Sequence, residues 1–187
     1  QKEPVPYLGG VAIALSITIV TYGAIYFSDY TKTTFPLVTY ALLPAAILGL
    51  MGLIDDIQGL PALPRLIAQT IVAIFVSVFM LHRELDAMPF GNHLLNDIIN
   101  VVWIVAICNS INFFDNLDGG AAGTVAVSTL GISLIAAYQG QELVTALACV
   151  TCGATVGFLL WNKSPAKIYM GDAGALFLGV LVAVLTI

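Results

Sequence analysis

Five aspartates stand where long apolar runs end: Asp55 and Asp56, Asp115 and Asp118, and Asp172. They are five of only 11 acidic residues in a chain of 187. A carboxylate beside hydrocarbon is costly unless it is paired, hydrated or metal-bound. Three such groups on one side of a membrane could share a divalent cation. Adjacent carboxylates such as Asp55-Asp56 repel, and both ionise readily only near positive charge. Mg²⁺ suits them: it prefers hard oxygens and is usually held by one or two carboxylates together with substrate phosphates. Arg65 opens the next apolar run, within reach of a phosphate. The bland alternative is a helix-end charge and a snorkelling arginine.

The second constellation is Asn109-Ser-Ile-Asn112-Phe-Phe-Asp115-Asn116-Leu-Asp118-Gly119-Gly120. Asn109, Asn112, Asp115 and, if a helix continues, Asp118 or Asn116 recur every three to four residues and would share one face. Such a face suits hydrogen bonds to phosphate, sugar and metal-bound water. The following glycines permit a tight turn, or pack helices in the Gly119-xxx-Gly123 manner. The third is Trp161-Asn162-Lys163-Ser-Pro-Ala-Lys167-Ile-Tyr-Met-Gly171-Asp172-Ala-Gly174. Here Asp172 reads either as a functional acid or as a plain cap at a helix N-terminus.

The elements that must hold these residues are membrane helices. The chain is 59% hydrophobic and 9% charged, against roughly 25% charged residues in a soluble domain. The fold class is therefore all-α, a polytopic integral membrane bundle. About seven spans are expected, near 8–27, 37–54, 64–82, 97–113, 120–138, 142–160 and 174–187. The last reaches the chain end with no polar cap, and the chain reads as cut inside that helix and incomplete at both ends. Alternating loops put 1–7, 55–63, 114–119 and 161–173 on one side. Lys2, Arg65, Lys163 and Lys167 lie there, against Lys32 and Arg83 on the other side. That bias makes the aspartate side cytoplasmic. Nothing resembles the basic stripe of a nucleic-acid binder. Cys108, Cys149 and Cys152 read as inert residues of packed helices, and His82 and His93 as solvated residues of the loop 83–96.

Taken in order, these stretches resemble the polyprenyl-phosphate N-acetylhexosamine-1-phosphate transferases. The matching elements are Pro6-Tyr7-Leu8-Gly9-Gly10, Asp55-Asp56 with Arg65, Asn109-x-x-Asn112-x-x-Asp115-x-x-Asp118-Gly119, and Lys167-Ile-Tyr-Met-Gly171-Asp172-Ala-Gly174. Arg65 and the Pro-Tyr-Leu-Gly-Gly start resemble the glycan-initiating, O-antigen and teichoic-acid type more than the phospho-N-acetylmuramoyl-pentapeptide transferases. The resemblance implies a single membrane-embedded domain over 1–187. It implies a Mg²⁺-dependent enzyme, with Mn²⁺ as a substitute, that moves a sugar-1-phosphate from a UDP-sugar to undecaprenyl or another polyprenyl phosphate and releases UMP. The site would face the cytoplasm, and a homodimer is compatible with the family.

On the same resemblance Asp172 and Asp56 would hold the metal, with Asp55, Asp56, Asp115 and Asp118 catalytic and Asp55 the base. Arg65, Asn109, Asn112, Asn162 and Lys167 would bind substrate. Two other classes fit less of the pattern. A transporter would place its acids near mid-membrane, and an inactive fragment would bind Mg²⁺ weakly and turn nothing over.

Overall fold

The computed structural model describes residues 5–27, 31–82 and 91–187. They form seven helices: α1 (Gly9–Tyr26), α2 (Thr31–Gln58), α3 (Ala62–His82), α4 (His93–Phe114), α5 (Gly120–Tyr138), α6 (Glu142–Asn162) and α7 (Gly171–Val184). Among the described residues six helices are long and apolar enough to cross a membrane; α7 is shorter. Its 14 residues rise about 21 Å, short of the roughly 30 Å hydrocarbon core.

The clearest departures from the sequence expectation lie in α2, α4 and α7. Helix α2 begins at Thr31 rather than 37, runs through Pro36 and Pro44 and ends at Gln58 rather than 54, so Asp55 and Asp56 lie in its last turn and not in a loop. Helix α4 begins at His93 rather than 97, because the Asn92 side chain accepts the Leu95 N–H at 3.2 Å and caps the first turn. His93 therefore opens a helix instead of lying in a loop, and His82 closes α3. Helix α7 begins at Gly171 and closes at Val184, which places Asp172 inside its first turn.

The bundle is organised around α7. Only Asp172 and Val184 of that helix escape full burial, as expected of a helix that is apolar on every side. It packs mainly against α2 and α4, then against α1 and α5. The other helices leave large apolar side chains such as Ile19, Phe75, Val127 and Leu134 outward. An apolar exterior around an apolar core is the mark of a bundle solvated by lipid. Several buried hydroxyls are satisfied within their own helices: those of Thr129, Thr151 and Thr155 donate to carbonyls of the preceding turn. Cys108 is buried, Cys149 exposed and Cys152 intermediate, and all three are free thiols.

The Pro6-to-Gly10 stretch laces the start of α1 to the segment that leads into α7. Tyr169 N–H donates to the Pro6 carbonyl at 2.9 Å, Gly9 N–H to Tyr169 O at 3.1 Å and Gly10 N–H to Met170 O at 2.8 Å. The backbones approach so closely that a Cβ on Gly10 would fall 2.1 Å from the Gly174 nitrogen. Only glycine fits there. Gly123, by contrast, has no atom against it, so Gly119-xxx-Gly123 is not a packing seam in this structure.

Candidate active site at one end of the bundle

The α2–α3 turn, the α4–α5 turn and the α6–α7 connection meet at one end of the bundle, around the first turn of α7. A helix N-terminus presents unsatisfied N–H groups and a partial positive charge. Met170 supplies no side-chain cap to α7. Two aspartates from other helices do so instead. Asp115, the residue that ends α4, accepts the Gly171 N–H at 3.0 Å. Asp56, near the end of α2, accepts Asp172 N–H at 2.8 Å on one oxygen and Ala173 N–H at 3.0 Å on the other. Gly171 takes φ +74°, and a Cβ there would lie 2.7 Å from an Asp56 carboxylate oxygen. Asp172 is thus not the cap of its own helix; Asp56 and Asp115 are.

That division frees the Asp172 carboxylate to face the other elements. One oxygen accepts from the Asn112 amide; the other accepts from Arg65 Nη1 at 2.8 Å. The same Nη1 lies 2.8 Å from Asp55 Oδ2. Asp55 is buried, and its other oxygen accepts the Leu60 N–H at 2.5 Å, which fixes the α2–α3 turn. Asp55 and Asp56 are neighbours in sequence with different surroundings: one buried and ion-paired, the other exposed and capping a helix.

Asp115 feels the crowding most clearly. Burial pushes its carboxyl up to about 7, and the charges of Asp172 and Asp56 push the same way, while the Gly171 N–H opposes them. Burial leads this shift, so Asp115 holds its proton chiefly because it is withdrawn from water, with the neighbouring carboxylates adding to the effect.

The remaining candidates form an outer ring. Asp118 accepts the Ala166 N–H at 3.1 Å. Asn162, buried at the end of α6, accepts Gly119 N–H at 3.0 Å and donates to Ile168 O at 2.9 Å. It staples the α4–α5 turn to the α6–α7 connection. The Lys167 ammonium sits 5.6 Å over the Trp161 ring. Asn109 is one turn short of Asp172 and donates at 2.7 Å to Gln69 of α3. The shared face expected along 109–118 stops at Phe114, where α4 ends; Asp118 is carried by the turn, and Asn116 donates to Phe113 O. Gln69 is a buried polar residue that the sequence reading passed over. Its signal was its place one helical turn after Arg65 in an otherwise apolar run.

Among the described residues no three His, Cys, Asp or Glu side chains already converge as a metal cage. The donor chemistry nevertheless fits a hard divalent cation. Asp55, Asp56, Asp115 and Asp172 supply oxygen, and the Arg65 nitrogen between Asp55 and Asp172 stands where a cation is wanted. Magnesium completes its shell with water and phosphate rather than with a full protein cage.

Residues 38–187 match the sequence family described as glycosyl transferase family 4. The chain belongs to glycosyl transferase family 4. Among family relatives, the Bacillus subtilis (strain 168) protein named "Probable undecaprenyl-phosphate N-acetylglucosaminyl 1-phosphate transferase" is 34% identical over 187 residues, covering 97% of this chain and 51% of the relative. A phospho-N-acetylmuramoyl-pentapeptide-transferase of Streptococcus uberis is 32% identical over 201 residues, covering 100% of this chain and 60% of the relative. One of the same name from Prochlorococcus marinus is 34% identical over 204 residues, covering 98% and 54%. The chain therefore spans 51% to 60% of the length of these family 4 relatives. Its multi-pass helices place this family 4 protein in a membrane.

Proposed function

We propose that the full protein transfers N-acetylglucosamine-1-phosphate, or another N-acetylhexosamine-1-phosphate, from a UDP-sugar to undecaprenyl or another polyprenyl phosphate, releasing UMP and initiating a lipid-linked cell-surface glycan. The observation that carries this reading is the meeting of Asp55, Asp56, Asp115, Asp172, Arg65 and Asn112 at one end of a lipid-solvated bundle, in a family 4 chain. An acidic site at a bilayer surface suits a reaction between a water-soluble diphosphate and a lipid phosphate. A transporter would carry such acids at mid-depth.

In the proposed reaction an oxygen of the lipid phosphate forms a bond to the sugar-bearing phosphorus of the UDP-sugar. The bond from that phosphorus to the bridging oxygen breaks, and UMP leaves with the bond's electron pair. Mg²⁺, or Mn²⁺ in its place, held by Asp172 with Asp56 would neutralise the two phosphate groups and keep them in line. Arg65 draws a phosphate oxygen to the mouth of the site. Asp55 beside it takes the proton when the lipid phosphate arrives protonated. Asn112 fixes the orientation of Asp172. Asp118 and Asn162 hold the two connections that border the sugar nucleotide, with Lys167 and Asn109 at the rim.

The decisive measurement is transfer of radiolabelled sugar-phosphate to undecaprenyl phosphate by the full-length protein. Asp172→Asn should abolish it, and retained transfer would remove Asp172 from the metal. A panel of UDP-sugars, followed by UMP release, separates N-acetylglucosamine transfer from the second reading, a muramoyl-pentapeptide donor, which the likeness to the Streptococcus uberis transferase supports.

We also infer that the site faces the cytoplasm, since Arg65, Lys163 and Lys167 lie on this side. Cysteines introduced at the exposed positions Ile57, Asn116 and Lys163 should be labelled from the cytoplasm. Labelling of any of them from outside would reverse the topology.

A further inference from the structure

We propose that Arg65 is a tethered counter-ion: it holds the cation position of the resting site, is displaced from Asp172 when a divalent ion binds, and thereby turns its guanidinium toward a substrate phosphate. This rests on the metal-dependent transfer reading above and adds to it a coupling between metal binding and phosphate capture.

A single nitrogen carries the resting arrangement. Arg65 Nη1 lies 2.8 Å from Asp55 Oδ2 on α2 and 2.8 Å from Asp172 Oδ2 on α7. Asn112 occupies the other Asp172 oxygen, so neither oxygen of Asp172 is without a donor. Each oxygen keeps a second lone pair through which a metal can approach, and charge then decides which partner yields. Asn112 is neutral and tolerates a nearby cation. Arg65 carries a full positive charge that a divalent ion repels, most strongly where solvent is partly excluded. Arg65 is therefore the partner that yields.

The surroundings decide where it goes. Asp55 is held independently through its Oδ1 by the Leu60 N–H and is 4% exposed at its side chain, against 29% for Arg65. Asp55 stays in place as a pivot while the arginine swings on its long, partly solvated stem. Among the described residues Arg65 makes both ion pairs of the site, and the Lys167 ammonium is engaged over Trp161. Once a divalent ion neutralises Asp172, the released guanidinium keeps Asp55 as its pivot and offers a planar fork suited to two phosphate oxygens. Linkage makes the coupling reciprocal: a phosphate that holds Arg65 away from Asp172 tightens the metal by the same factor.

The test uses the full-length protein in detergent, without sugar nucleotide, with Mn²⁺ as the probe and free Mn²⁺ read by electron paramagnetic resonance. Arg65→Gln should bind Mn²⁺ roughly tenfold more tightly than the wild type, through loss of one charge-assisted competitor. Arg65→Lys, which keeps the charge, should stay close to the wild type. Unchanged or weaker binding by Arg65→Gln overturns the proposal. A second measurement needs no change in the site. Phenylglyoxal modifies arginine side chains, and the Arg65-containing peptide reports its labelling apart from that of every other arginine. Mn²⁺ should speed that labelling several-fold, as followed by mass spectrometry, and a rate unaffected by Mn²⁺ also overturns the proposal. Asp172→Asn distinguishes the two levels. If it binds Mn²⁺ as well as the wild type does, the metal reading itself fails, and this proposal fails with it.

Discussion

Helix α4 carries amides and acids at both ends, and the two ends differ in what reaches them. At the Phe114 end Asn109 meets Gln69, Asn112 meets Asp172 and Asp115 meets the Gly171 N–H. At the His93 end Asn96 is 3% exposed, yet among the described residues neither its Oδ1 nor its Nδ2 has a partner, and the Asn100 Nδ2 also lacks one. Asp97 there accepts from the Ser77 hydroxyl. Polar residues of the same types, on one helix, make a chemical site only where other elements deliver backbone N–H groups and a counter-ion. The first turn of α7 and Arg65 of α3 do so at one end. Among the described residues nothing comparable arrives at the other.

The largest expected effect tests the connected end. Gly171→Ala puts a Cβ into a left-handed backbone conformation and against Asp56, which adds roughly 1–3 kcal/mol of strain and shifts the start of α7. Transfer should fall on the order of 100-fold, the scale of a small displacement of reacting groups. Wild-type transfer rates in this variant would show that the α7 turn does not set the site.

An intermediate effect concerns the burial of Asp115. Its carboxyl is pushed up to about 7 in the folded protein, whereas an unfolded aspartate loses its proton near 4. Between those values the folded state binds more protons, so the contribution of Asp115 to stability decreases as pH rises and levels off above 7. In metal-free detergent solution Asp115→Asn should flatten that decline in apparent Tm between pH 4 and 7 while its carbonyl still accepts the Gly171 N–H. An unchanged slope would show that Asp115 does not hold the extra proton.

The smallest effect should have the opposite sign at the two ends. Asn96→Leu removes a buried amide that nothing satisfies and should be neutral or stabilise the protein by up to about 1 kcal/mol. Asn112→Leu strips Asp172 of a partner and should cost about 1–3 kcal/mol. Equal costs for the two substitutions would erase the contrast between the ends. Apparent Tm in detergent measures both.

Much of the architecture was legible because membrane spans announce themselves by length and apolarity; the span 120–138 coincides with α5. Thr-Lys-Thr-Thr-Phe-Pro and His-Leu-Leu-Asn-Asp read as polar connectors, yet α2 already begins within the first, and the Asn92 cap starts α4 at the second. The candidate residues were legible as types, while their connections were not. Local spacing predicts a common face for Asn109 and Asp115, but α3 claims the first and α7 the second. Asp55 and Asp56 look equivalent in sequence, and only the positions of Arg65 and of the α7 backbone separate them. Such differences lie in contacts between separate helices, up to more than a hundred positions apart for Asp56 with Asp172 and Ala173, and no local pattern encodes them.

A bare helix start is among the commonest anchors for a phosphate in proteins, and α7 points one into the middle of this site. The protein has already filled it with Asp56 and Asp115. An anionic inhibitor designed to sit on that helix end would meet two resident carboxylates instead of open amides. A compact cation bearing an apolar tail would find the opposite welcome. The pharmacology of this pocket should therefore favour guanidines and amines over phosphate mimics in the absence of metal, and reverse that preference once a divalent ion is supplied.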